Sequence, residues 1–272
     1  MEKSNVTAGC STCSSVDGLF VVTLAIIALC LPLTLLAAYS LFTLVQKDQV
    51  VPVYIINVLL SDLIQLCCMV VEVSLQPLNS DLFFFVYYFG VVAGVGFMVC
   101  VALERYLVVA WPLWYRFRRT LGVSLAVSAV VWTLPLLYIL PVHFQADFVV
   151  SETILAVVFL LPYPLLLFFL GGTLRALYTS ISVPAAEKRR IVAVLVLVVL
   201  IYTLIFLPSA IWSLAEDARS NNTFSDLSFT IIKFSPLADL FLYVFLKQGG
   251  LGDKLLAFVC CTMERNDISR SA

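Results

Sequence analysis

Charge is what this chain has least of. Asp, Glu, Lys and Arg make up 12% of its 272 residues, against 62% that are apolar, a balance far outside that of a soluble domain. Histidine occurs once, as His143, so there is no histidine cluster to sense protons. No His-Glu-x-x-His metal motif and no Gly-x-Ser-x-Gly nucleophile elbow is present, and a Ser/His dyad would have to use His143 in a connecting segment. An enzyme is therefore not expected, nor a metal, nor a nucleic-acid partner. The N-terminal tail lacks a basic start followed by a cleavage site, so the first apolar run reads as a retained span. The net charge of −1 excludes little, because the charges are segregated along the chain.

What the chain has instead is length in apolar runs. A bilayer core about 30 Å thick needs roughly 20 apolar residues per helix. Seven stretches qualify, near 19–45, 51–75, 82–110, 121–141, 153–178, 191–215 and 228–247. The first is the cleanest, with no charge between Asp17 and Lys47. Short connections carry the turn and charge signals, such as Gln46-Lys47-Asp48 and Pro184 to Arg190. There is no internal repeat, and an odd number of spans argues against a transporter of two matched halves. The expected fold is an all-α membrane protein, a seven-transmembrane helix bundle over 19–247. An N-terminal tail (1–18) would precede it, and a surface amphipathic helix (248–261) and a cytoplasmic tail (262–272) would follow.

Basic residues set the orientation. With the N-terminus outside, only Lys3 and Arg219 are external and Lys233 lies within the seventh span, leaving 13 of the 16 basic residues on the cytoplasmic side. The sequons at Asn5 and Asn221 then fall outside, where glycosylation can occur. The expected location is the plasma membrane, with the N-terminus extracellular.

Several motifs sit at telling depths. Glu104-Arg105-Tyr106 closes the third stretch, and Asp62 lies in the middle of the second, within Asn57-Val58-Leu59-Leu60-Ser61-Asp62-Leu63. Ionisable groups inside a membrane are expensive and functional by default. Trp132 marks the fourth stretch, Pro162 and Pro164 the fifth, Phe206-Leu207-Pro208 the sixth and Asp239-Leu240-Phe241-Leu242-Tyr243 the seventh. Together, from 19 to 261, these resemble the rhodopsin-like G-protein-coupled receptors. The resemblance implies that Glu104 holds Arg105 at rest and releases it to a heterotrimeric G protein, with Tyr106 and Tyr243 in the same switch. It implies a mid-membrane polar site at Asp62 and Asp239, with Asp62 either coordinating sodium or protonated and hydrogen-bonded to the seventh helix. Phe206 stands where the family places its toggle tryptophan, and is expected to line the ligand pocket with Glu72, Tyr87, Tyr88 and Lys233. After Gly249-Gly250, Leu251, Leu255, Phe258 and Val259 share one helical face, and Cys260 and Cys261 suit palmitoylation.

Within the family, Trp111-Pro112-Leu113-Trp114-Tyr115-Arg116-Phe117-Arg118-Arg119 is most similar to the Mas-related receptors. The departures are equally definite. The first-span asparagine is missing, Leu240 replaces the seventh-span proline with Pro236 placed to supply the bend, and the third-span disulfide has Ser80 near its expected cysteine. Cys10 and Cys13 are the external cysteines, with their pairing open.

Helix rise puts Glu72 about 15 Å nearer the outside than Asp62, and Lys233 about 9 Å nearer the outside than Asp239. Two levels follow: an acid pair at mid-membrane and a Glu72/Lys233 pair near a pocket mouth. The pair is either a structural ion pair or a site where Lys233 receives the acidic group of a lipid or peptide ligand, with Phe83 to Phe85, Tyr87 and Tyr88 as an aromatic wall. A third reading takes Lys233 as an opsin-like retinal lysine with Glu72 as counterion; a fourth is a non-signalling seven-span decoy. The leading expectation is a receptor that turns binding of an extracellular ligand into G-protein activation.

Overall fold

In hydrocarbon every backbone N–H and C=O must find its partner within the chain, so an apolar run long enough to cross has one open conformation, the helix. A computed structural model describes residues 10–45, 53–75, 80–118, 120–143, 148–179, 185–214 and 222–246. Every regular element among them is helical: α1 Cys10–Val45, α2 Val53–Leu75, α3 Ser80–Ala110, α4 Pro112–Arg118, α5 Leu121–His143, α6 Phe148–Leu160, α7 Pro162–Thr179, α8 Ala185–Leu214, α9 Asn222–Ile232 and α10 Ser235–Leu246. Six segments are long and apolar enough to cross a membrane, and the shorter apolar stretch Leu121–Leu137 lies within α5. These make up the expected seven-helix bundle. Helix α1 begins at Cys10, ahead of the expected boundary at 19. Hydropathy marks where lipid ends, whereas a helix ends where its hydrogen bonds do. The short α4 was not expected in the segment after Trp111.

Two crossings are each made of two helices, and prolines explain both breaks. The fifth is α6 and α7, parted at Leu161 just before Pro162. Pro162 has no N–H to offer the Val158 carbonyl, so the regular ladder stops after Leu161 N donates to Val157 O at 2.9 Å. The seventh is α9 and α10, parted at Lys233 and Phe234. There Lys233 N donates to Thr230 O at 3.1 Å and Phe234 N to Ile231 O at 3.0 Å, the tighter i→i−3 pattern. Pro236 lies two residues on and would clash with a straight helix at Ile232. Pro236 thus bends this crossing where Leu240 cannot.

Helix α3 is the axis. It packs on α2, α4, α5, α6, α7 and α8, and Val91, Val92, Ala93, Val95, Phe97 and Met98 are all buried. Its approach to α2 is close: a Cβ on Gly90 would stand 3.1 Å from the Ser61 carbonyl oxygen, tighter than an ordinary van der Waals contact, so a side chain there would press the two helices a few tenths of an ångström apart. A polar clasp joins α2 to α5, where Trp132 Nε1 donates to Asn57 Oδ1 at 2.8 Å and Asn57 Nδ2 donates to Ser128 Oγ at 3.3 Å.

Candidate functional site

The turn between α9 and α10 positions Lys233 at one end of the bundle. Its Nζ lies 2.9 Å from Glu72 Oε1, 3.0 Å from Glu72 Oε2 and 3.3 Å from Thr23 Oγ1. The Thr23 hydroxyl donates to Leu19 O at 2.9 Å, which turns a lone pair toward the ammonium. The two ends of the ion pair differ in exposure, Lys233 at 12% and Glu72 at 52%. Beside them opens a cavity of about 370 Å³. It is lined by Leu19 of α1, Cys68 and Glu72 of α2, Phe83, Phe84, Tyr87 and Tyr88 of α3, Phe229 of α9 and Lys233. Phe84 and Tyr88 have ring centroids 4.5 Å apart, and Tyr87 meets Tyr88 edge-on at 5.6 Å. The Tyr87 hydroxyl is buried without a hydrogen-bond partner among the described residues.

Deeper in the bundle, Asp62 of α2 and Asp239 of α10 are neighbours, both buried. Both carboxyl oxygens of Asp62 and Oδ1 of Asp239 lack hydrogen-bond partners among the described residues. Two adjacent buried carboxylates cannot both keep their charge without a proton or a cation between them. Two carboxyls in this setting can share one proton or one monovalent cation. If sodium binds, sodium chloride at ten times its Kd should raise the melting temperature of the solubilised protein by about 3–6 °C over N-methylglucamine chloride. Asp62→Asn and Asp239→Asn should each abolish the rise; an unchanged wild-type melt in sodium would leave the shared proton.

At the opposite end, Glu104 is buried and accepts a hydrogen bond from the Tyr115 hydroxyl of α4 at 2.7 Å. Tyr106 stacks on Phe169 of α7 at 5.7 Å and tilts against Phe168 at 5.9 Å. A Cβ on Gly172 would lie 2.6 Å from Tyr106 Cε2, so the ring rests where only glycine leaves room. Overpacking costs about 1–3 kcal/mol and alanine regains about 1 kcal/mol of helix propensity. Gly172→Ala should therefore lower stability on balance, but raise it in a Tyr106→Ala background; thermal melts of the four proteins test the reversal. At the same end, α8 is held to its neighbours by Lys188 Nζ donating to Leu177 O of α7 at 3.1 Å and Arg190 Nε donating to Phe245 O of α10 at 3.3 Å.

This arrangement has known counterparts. The model of the 7 transmembrane receptor (rhodopsin family) matches residues 33–243. The chain belongs to the rhodopsin family of seven-transmembrane receptors. It is 24% identical to G-protein coupled receptor 68 of Homo sapiens over 287 residues, covering 89% of this chain and 78% of that one. It is 29% identical to Mas-related G-protein coupled receptor member A4 of Mus musculus over 204 residues, 67% of this chain and 64% of the relative. A shorter match, 33% identical over 92 residues, is to Mas-related G-protein coupled receptor MRG of Homo sapiens, 30% of this chain and 24% of the relative. The protein is thus a G-protein-coupled receptor, a multi-pass membrane protein of a family of receptors, not enzymes. Neither the retinal reading of Lys233 nor the decoy reading draws support from these relatives.

For this receptor, the structure brings together Glu72 with Lys233 and Asp62 with Asp239, and sets Tyr87 and Tyr88 on the cavity. Tyr243 lies beside Asp239 at a small gap lined mostly by aliphatic side chains of α2 and α3. Phe206, expected in the ligand pocket, is packed instead in the core against Phe159 and Tyr202, at 5.4 and 5.2 Å, and does not line the cavity. The glycosylation positions Asn5 and Asn221, the palmitoylation positions Cys260 and Cys261, and the amphipathic segment 248–261 lie outside the described residues; the side chains of Cys10 and Cys13 do too. Sequence reasoning missed Thr23 and the Tyr115–Glu104 bond. A hydroxyl with no charge carries no depth signal, although Tyr115 lies in the recognised run from Trp111 to Arg119, eleven residues beyond Glu104.

Proposed function

We propose that this receptor sits in the plasma membrane with its N-terminus outside and turns binding of an extracellular ligand in the Glu72–Lys233 cavity into activation of a heterotrimeric G protein at the Arg105 end. The observation that carries this reading is the placement of both ends on one helix. Tyr87 lines the cavity and Arg105 closes the same α3, about 27 Å away by helical rise. The basic residues concentrate at the Arg105 end, which supports an inward orientation by the positive-inside rule. An acidic ligand group, one expectation for Lys233, would have to displace Glu72 from it.

The test is nucleotide exchange on purified G proteins of each class by the receptor in nanodiscs. Exchange above empty discs, raised further by a ligand-bearing extract, is the expected result. Intact, folded receptor that accelerates exchange on none of them would refute the reading.

A further inference from the structure

We propose that the cavity takes a protonated amine on a compact apolar body, held by Glu72 and not by Lys233. This rests on reading the cavity as the receptor's ligand site. The Lys233 ammonium is engaged by the Glu72 carboxylate, whose two oxygens lie too close together to take more than about one of its three N–H donors, and by Thr23 Oγ1. Only 12% exposed, it has little surface to offer an incoming acid. Glu72 is in the opposite position. Its carboxylate provides about four lone-pair sites, of which Lys233 uses two, and 52% of the side chain is exposed. A cation entering from the cavity meets the carboxylate before the more deeply set ammonium, so the ion pair presents its negative end.

The rest of the lining agrees. Phe83, Phe84, Tyr87, Tyr88 and Phe229 supply five aromatic rings, whose faces attract a cation and repel an anion. Tyr87 lines the cavity with its ring, while its hydroxyl is buried without a partner among the described residues. A volume of about 370 Å³ suits a small molecule better than a folded peptide.

Three probes sharing one body decide the matter: phenylbutylamine, phenylbutanol and phenylbutyrate, with dissociation constants measured by ligand-observed NMR on receptor in nanodiscs. The amine should bind about ten- to a hundredfold more tightly than the alcohol, with the acid weakest. Glu72→Gln keeps an acceptor for Lys233 but loses the charge, and should erase the preference. Lys233→Met removes the competing cation and should tighten the amine. The proposal is overturned if the acid binds tightest and loses its affinity in Lys233→Met, if the three bind alike, or if none binds. Melts without ligand show that each variant is folded. Amine binding that leaves nucleotide exchange untouched would uphold this site and count against the signalling role assigned to it.

Discussion

Arg105→Ala should cut G-protein nucleotide exchange by at least about tenfold, within the usual range of coupling between a receptor's two ends, while surface expression stays near wild type. Tyr115→Phe should move the other way and raise basal exchange several-fold. The two effects have one cause. An arginine at a span's end is costly unless it works there, and here it sits beside a buried carboxylate. That carboxylate is kept in place by the Tyr115 hydroxyl at 2.7 Å. Removing the hydroxyl leaves Glu104 one bond short in a buried position, a loss of about 1–3 kcal/mol that falls on the resting arrangement. A few tenths of that difference suffices to shift a minor active population measurably. Exchange assays on both variants in nanodiscs check the signs; equal basal rates in wild type and Tyr115→Phe would mean that the bond does not favour the resting state.

The second large effect is an asymmetry in one ion pair. Glu72→Ala strands the Lys233 ammonium, which is only 12% exposed, and breaking a buried pair from that side costs about 3–5 kcal/mol. Lys233→Ala leaves Glu72 at 52% exposure beside the cavity, so its cost should stay near the value of an exposed pair, about 1 kcal/mol or less. The double change Glu72→Leu with Lys233→Met should return most of the stability, because apolar replacements of both partners remove the desolvation term altogether. Thermal melts in detergent give the order: Glu72→Ala lowest, the double variant and Lys233→Ala close to wild type. A reversed order of the two single variants would show that Lys233 reaches water more easily than its burial implies.

Much of the architecture was legible because lipid restricts what a backbone can do. Apolar length alone predicted the seven crossings, and Pro236 correctly marked the bend before Asp239. Depth arithmetic on an antiparallel pair of helices sufficed to set Lys233 opposite Glu72, which the 2.9 Å contact shows. What hydropathy cannot supply is how a helix is rotated about its own axis. Beyond Arg190, helix α8 is apolar on every side, with no charged stripe to fix which face turns inward, and so a motif match assigned Phe206 to the pocket while packing turned it to the core. Thr23 shows the same gap from another side: a neutral hydroxyl leaves no mark in an apolar run, yet it completes the shell of the buried ammonium.

Helix α8 is also a long arm with its grip at the tip. Pro208 removes the hydrogen bond to the Leu204 carbonyl inside it, and Arg190 lies eighteen residues earlier, about 27 Å away along the axis. Turning the arm by about 10° at that pivot carries its tip roughly 5 Å. Hydrogen bonds of 3.1 and 3.3 Å at Lys188 and Arg190 do not survive such a stroke. A turn of that size at Pro208 would therefore break both hydrogen bonds together, while moving the packing around Phe206, close to the pivot, very little.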